Sequence, residues 1–368
     1  MPKALFTLLL ILSLGSAAAE PVSLKTITDA IDTNYQDLRS KDGPGCAVGY
    51  ARDGKLIHQA QFGMANLEHD IPINASTIFR TGSTSKQFVA TSIALLSLQG
   101  KLNLDATIHS ILPDLPDYGH SVTIRQMINH SSGIPDVYPV MVEVYGNEDG
   151  NFYPSEMILE YLYQMNRLDF EPGSQYAYSN SAYLLLAQVV EAVSGQTMRE
   201  FAHQNIFSPL GMHNTHFHDN HQELIKNRAD GHIKRNNQWQ KHNTNFEVVG
   251  DGGVFSTVAD LVIWYHNFTD NRLPGGDQLI ELLTTPATYK QGTAMYRTWP
   301  TEYAFGNMYL KFGGKTLFGH SGGFVGFVSA PYRIQETNEI MVSLCNYLYK
   351  GNVNRVFDTV EMIYGDNQ

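Results

Sequence analysis

Strand-like runs lie at both ends of this chain and helical spacing fills the middle, so the two ends must meet in one sheet. Residues 45–62 read as a hairpin, two runs joined by Arg52-Asp53-Gly54 with Asp-Gly as the turn signal. Strands return after Tyr303: Met308–Phe312, a Gly313-Gly314 turn, Thr316–Gly319, Gly326–Ala330 and Glu339–Asn346. Between these ends the period changes. Phe88, Val89, Ala90, Ile93, Leu96 and Leu98 fall at helical spacings, and Gly100 closes the run. Leu184–Val193 is a second apolar helix ended by Ser194-Gly195, and Thr257 to Asp260 reads as a capping box. A last amphipathic helix carries Val353, Val356, Phe357, Val360 and Ile363. The expected architecture is α/β (α+β): an antiparallel sheet built from both chain ends, flanked by helices. Residues 20–80 and 225–368 would form that lobe, with 81–224 inserted as a mainly helical lobe. A cleft between two lobes is a natural place for a site.

The 368 residues carry 25 Lys+Arg against 36 Asp+Glu, for a net charge of −11. That balance argues against nucleic acid or an anionic membrane surface as the main partner, since both need a basic footprint. Residues 1–19 read as a signal peptide. Lys3 precedes an apolar run from Ala4 to Leu14, and small residues end at Ala17-Ala18-Ala19. The run is too short to span a bilayer. The mature chain is therefore expected to be exported, periplasmic or secreted, and soluble, with no membrane span. Two cysteines exclude a disulfide scaffold, a Cys-based zinc site and an iron–sulfur cluster. Cys46 and Cys345 could pair in an oxidising compartment, but their apolar, strand-like surroundings favour two buried thiols packing as small hydrophobes.

Ser83-Thr84-Ser85-Lys86 stands at a strand-to-helix junction. Ser and Lys three apart on a helix share a face, and a hydroxyl in the first turn faces the positive end of the helix dipole. Lys86 could take the hydroxyl proton and activate a weak nucleophile. Tyr178-Ser179-Asn180 follows the turn Phe170-Glu171-Pro172-Gly173-Ser174. Two other Tyr-x-Asn sets compete, Tyr145-Gly146-Asn147 in a loop and Tyr265-His266-Asn267 inside a helix. Asn180 could hold a substrate amide or orient Lys86. His320-Ser321-Gly322-Gly323 lies at a strand end, where Gly322 and Gly323 allow close backbone approach. Lys41, Lys311 and Lys315 are weaker candidates for that role. A strand edge at Gly323 can pair with a peptide-like substrate and offer an N–H to a developing oxyanion.

Ser-x-x-Lys, Tyr-x-Asn and His/Lys-x-Gly, in that order, resemble the penicillin-recognising serine hydrolases, most closely the class C β-lactamase and DD-peptidase branch. Residues 128–135 (Ile-Asn-His-Ser-Ser-Gly-Ile-Pro), 207–212 (Phe-Ser-Pro-Leu-Gly-Met) and 250–257 (Gly-Asp-Gly-Gly-Val-Phe-Ser-Thr) add to the resemblance, which spans roughly residues 40–345. It implies a β-lactamase/transpeptidase-like fold and no cofactor. By the same resemblance Ser83 is the acylated nucleophile, Lys86 its activating partner and Tyr178 a general base. Asn180 contacts the substrate amide, and the N–H groups of Ser83 and Gly323 form the oxyanion hole. His320 stands where β-lactamases usually carry Lys. A permanent cation suits a β-lactam carboxylate, whereas an imidazole is half charged only near about pH 6.5. His there looks more like DD-peptidases and D-amino-acid peptidases. The implied partner is a small-molecule or peptide substrate, a D-amino-acid amide or ester. A class C-like β-lactamase, a carboxylesterase and a penicillin-binding sensor that never turns over are the alternatives.

His213, His216, His218 and His221 lie close together, but no ordered carboxylate set accompanies them. They read as a solvated polar edge and not a metal site. Gly252-Gly253 is not a nucleotide loop, because no Gly-Lys-Ser/Thr follows.

Overall fold

The computed structural model describes residues 21–40, 42–139, 152–153, 155–289, 302–349 and 351–365. The signal peptide expected at 1–19 and the Tyr145-Gly146-Asn147 set lie outside them. In chain order the elements that frame the site begin with α1 (Leu24–Tyr35), β1 (Cys46–Arg52), β2 (Lys55–Phe62), β3 (Phe79–Arg80) and α2 (Lys86–Leu98). They continue through α3 (Asn180–Ser194), β4 (His216–Phe217), β5 (Val254–Ser256) and α4 (Val258–Asp270). Last come β6 (Glu302–Tyr303), β7 (Met308–Phe312), β8 (Lys315–Gly319), β9 (Gly322–Phe324), β10 (Phe327–Ile334), β11 (Ile340–Cys345) and α5 (Gly351–Tyr364).

The expected sheet is present, and it joins both chain ends. Its order is β6-β7-β8-β10-β11-β1-β2, with β9 paired to β10, and every pairing is antiparallel. The β1–β2 turn places Asp53 at φ 49° and Gly54 at φ 71°. Two successive left-handed residues match the right-handed twist of the strands, which is why Asp-Gly marks such turns. Strand period two sorts the side chains into two cores. Val48, Tyr50, Met341 and Cys345 pack with Ile27 and Ile31 of α1 and Val356 and Val360 of α5. Ala47, Ala51, Ile340, Val342 and Leu344 face the other way, into a core with Phe88 of α2 and Trp264 of α4. Because both faces are covered, these strands read as nearly continuous apolar runs.

α2 is buried from Lys86 to Leu96, all round its circumference. It packs against α3, which Ser179 caps by accepting from the Ala182 N–H and Gly195 closes at φ 71°. At α4 the expected capping box is only half formed. Thr257 accepts from the Asp260 N–H, but the Asp260 carboxylate turns away to accept from the Asn214 N–H and the Thr215 hydroxyl. The cysteines also differ from expectation. Cys46 and Cys345 face each other in the β1–β11 register with Cα atoms 4.0 Å apart, and they are bonded as a disulfide. Strand pairing, which spacing alone could not reveal, supplies the proximity a bridge needs.

Candidate active site

Ser83 lies in a single tight turn, Gly82–Ser85, that leads from β3 into α2. Two side chains hold this turn. Ser85 donates to the Gly82 carbonyl (2.7 Å) and accepts from the Val254 N–H of β5 (3.0 Å). Thr84 donates to the His320 carbonyl (2.8 Å), tying the turn to the end of β8. Gly82 sits at φ 53°, and a Cβ there would stand 2.9 Å from the Gly323 nitrogen. A Cβ on Gly322 would lie 2.0 Å from the Thr81 carbonyl oxygen. Both glycines are therefore required by close approach, and that approach puts the backbone N–H groups of Ser83 and Gly323 side by side.

Lys86, one turn on, is fully buried, and its Nζ reaches Ser83 Oγ at 3.3 Å. It also donates to Asn180 Oδ1 (2.8 Å) and the Asp251 carbonyl (2.7 Å). Both of these acceptors are carbonyl oxygens that can only accept. When Lys86 is the neutral amine they take its two hydrogens, and the lone pair is left toward the Ser83 hydroxyl. Burial lowers the Lys86 pKa to about 8, against the opposing pull of Asp251 and Asp136. Its Nζ sits 4.8 Å from the centre of the Tyr178 ring.

Asn180 opens α3, with its orientation set by Asp136. Oδ2 of Asp136 accepts both the Asn180 backbone N–H and its amide Nδ2–H, each at 2.9 Å, which turns Oδ1 toward Lys86. The geometry thus takes up the Lys86-orienting alternative for Asn180. His130 supports Tyr178 from behind. Its Nδ1 accepts the Ser179 N–H (3.1 Å), so Nε2 carries the hydrogen and faces Tyr303 Oη at 3.1 Å. The His130 and Tyr178 rings lie 4.3 Å apart. Burial, reinforced by the nearby Lys86 ammonium, keeps His130 well below the usual imidazole range.

His320 is 6.1 Å from Tyr178, ring centre to ring centre, and its backbone N–H donates to the hydroxyl of Tyr265. The second Tyr-x-Asn set thus supplies a buried support in α4. The surroundings of His320 disfavour its charged form. The side chain is 2% exposed, its Nδ1 lies 2.6 Å from the Ser321 carbonyl, and burial beside Lys86 drops its pKa to about 3. It is a neutral imidazole at every ordinary pH.

The cleft at Ser83 has a volume of about 210 Å³. Tyr138, Tyr178, Asn180, Asp251, Gly323 and Phe324 are on its wall, as is Arg80. His130, Asp136, Tyr138, Asp251 and Arg80 went unassigned in the sequence. Three of them lay beside or within stretches already marked: His130 and Asp136 around Ile134-Pro135, and Asp251 between Gly250 and Gly252. Gly322 and Gly323, Ser83, Lys86, Tyr178, Asn180 and His320 do converge, although they come from three distant segments.

The histidine cluster is not the solvated edge expected. His218 is 3% exposed, neither ring nitrogen has a hydrogen-bond partner, and Nδ1 lies 4.0 Å from Glu223 Oε2. His216, His218 and Glu223 bring donor atoms within 4.8 Å of one another. Both Glu223 oxygens already accept from Arg199, however, and Arg80 and Arg228 depress the His218 pKa to about 4 after burial. Such a positive surrounding is poor for a cation.

The mixed α/β fold, an antiparallel sheet flanked by helices, is that of the β-lactamase class of proteins. The family profile described as Beta-lactamase matches residues 29–359, and the chain belongs to that family of serine hydrolases. A D-aminopeptidase of Brucella anthropi is 27% identical over 334 residues, covering 88% of this chain and 59% of its own length. A D-aminopeptidase of Gluconobacter oxydans is 26% identical over 312 residues, with 84% and 57% covered. This chain thus spans under two thirds of these curated relatives. Among solved structures, the octameric penicillin-binding protein homologue of Pyrococcus abyssi superposes with TM-score 0.78 at 24% identity, covering 92% of this chain and 76% of that one. The D-amino acid amidase of Ochrobactrum anthropi SV3, complexed with D-phenylalanine, gives 0.76 at 22% identity, covering 93% and 99%. These superpositions match the expected α/β architecture. Among the described residues no helix is long and apolar enough to cross a membrane.

Proposed function

We propose that this chain is an exported serine hydrolase working through an acyl-enzyme on Ser83, with D-amino-acid peptide-like amides or esters as substrates. One observation carries the reading: Ser83 Oγ, Lys86 Nζ and the Tyr178 ring meet at one cleft beside the Gly323 N–H. Lys86 as the free amine, together with Tyr178, takes the Ser83 proton as Oγ attacks the substrate carbonyl carbon. The N–H groups of Ser83 and Gly323 hold the oxyanion. As the carbon–nitrogen bond breaks, the proton passes to the leaving amine. Water then repeats the attack and frees Ser83. Asn180 positions Lys86, and Asp136 positions Asn180. Gly322 permits the approach, and His320 packs as a neutral wall beside Tyr178.

The substrate class draws support from relatives named D-aminopeptidase. His320, where β-lactamases usually carry Lys, also favours the peptide reading over the β-lactamase alternative. Export is supported by the signal-like residues 1–19 and by a disulfide suited to an oxidising compartment. Ser83→Ala should abolish covalent labelling by a fluorophosphonate and reduce hydrolysis at least about a thousandfold. Undiminished labelling would exclude Ser83. Purified enzyme, offered a D-alanyl-D-alanine peptide, a nitrophenyl ester and a chromogenic cephalosporin, should turn over the peptide with the highest kcat/KM.

A further inference from the structure

Arg80 ends β3, three residues before Ser83, and only 4% of it is exposed. Its guanidinium lies over the Phe324 ring at 4.9 Å and the Phe255 ring at 5.7 Å, so its plane is fixed between two aromatic faces. Its buried Nε has no hydrogen-bond partner, and among the described residues no carboxylate is hydrogen-bonded to its guanidinium. Asp251, which acts on it only at longer range, has one oxygen engaged by the Tyr138 hydroxyl. A buried guanidinium whose nearest carboxylate acts on it only from beyond ion-pair distance is left with unused capacity to bind an anion. Burial accordingly lowers the Arg80 pKa to about 10, which still leaves it charged at neutral pH.

Arg80 also forms part of the wall between two cavities. One is the Ser83 cleft, where it is the cation among the described lining residues. The other is a smaller space of about 60 Å³, bordered by Arg228, His218 and the polar run Asn243-Thr244-Asn245. Arg80 thus offers a planar fork suited to a carboxylate, with Arg228 on the side of the smaller space and Asp251 on the wall of the Ser83 cleft. Arg80 is therefore the lining side chain placed to meet a carboxylate in the Ser83 cleft.

We propose that Arg80 is a specificity-determining residue that binds a carboxylate of the substrate lying in the Ser83 cleft. Resting on the serine-hydrolase reading above, the proposal narrows the substrates to anionic D-amino-acid derivatives. That carboxylate belongs either to the leaving group, as the free C-terminus of a peptide, or to an acidic side chain on the acyl half.

Two substrate pairs separate these sources. D-alanyl-D-alanine is compared with its C-terminal amide, and D-glutamate nitroanilide with D-glutamine nitroanilide. Wild-type enzyme should favour the carboxylate-bearing member of one pair about tenfold or more in kcat/KM, mainly through KM. In Arg80→Gln that ratio should fall close to one, whatever the absolute rate, and Arg80→Lys should retain part of it. Absence of preference in both wild-type pairs, or a preference that survives Arg80→Gln, overturns the proposal. If no D-substrate is hydrolysed, the substrate reading fails separately, and Arg80 is tested by succinate. Millimolar succinate should slow fluorophosphonate labelling of wild-type Ser83, with about tenfold weaker protection in Arg80→Gln. Equal protection, or none in the wild type, likewise overturns it.

Discussion

Lys86 is useful only because its surroundings keep it short of full protonation. Desolvation lowers its pKa, while Asp251 and Asp136 partly restore it, and the balance falls at about 8. The neutral amine is the form that can accept the Ser83 proton, so it becomes more populated as pH rises. The acylation rate should therefore climb with pH and level off above about 8, read as kcat/KM or as the rate of fluorophosphonate labelling. Neither His130 nor His320 should add a limb near neutrality, because burial holds both neutral there. A bell falling away between pH 6 and 7 would contradict this assignment. Ser83, Lys86, Tyr178 and Asn180 were legible through the resemblance of three ordered motifs to a known family, not through spacing alone. The charge state of His320 was not, since it depends on how much protein covers the ring. Arg80 and Asp136 were hidden for a related reason: an isolated charge in a sequence says nothing of its burial.

At the scale of elements, the site depends on a turn and a strand held closer than side chains allow. β9 presses on the Ser83 turn at Gly82 and Gly322, where backbone meets backbone. In Gly322→Ala the new methyl would meet the Thr81 carbonyl oxygen, which Ser329 also holds by donating to it (2.6 Å). The Thr81 oxygen, like the Ser83 nitrogen 2.7 Å from that methyl, belongs to the backbone and cannot swing aside. The strand must shift, moving the Gly323 N–H off the oxyanion position, and labelling of Ser83 should slow about a hundredfold. A melting temperature lowered by a few degrees would accompany it, corresponding to about 1–3 kcal/mol of overpacking strain. Periodicity foretold the hairpin, the two long helices and the returning strands within a few residues. Which strands are neighbours was not available from it. The half-formed cap at Thr257 illustrates the same gap, since Asp260 found a better partner in Thr215, distant in sequence.

For the molecule as a whole, the disulfide joins the first strand of the sheet to its last, 299 residues apart. Spacing gave no way to see this, whereas register makes it a direct neighbour contact. Closing so long a loop removes freedom mainly from the unfolded chain, so its loss should cost about 2–5 kcal/mol. Cys46→Ala with Cys345→Ala, or reduction of the native protein, should lower the unfolding midpoint in guanidinium accordingly. An unchanged midpoint would mean that the bond adds nothing to stability. Helices α1 and α5 pack together on the same face of the sheet beside this bond, so the N-terminal and C-terminal segments are held by contacts as well as by sulfur. It follows that everything from residue 46 to residue 345, the catalytic serine included, belongs to one covalent ring. A protease that cuts any surface loop within that ring opens it without releasing a fragment, and the two halves stay moored to each other.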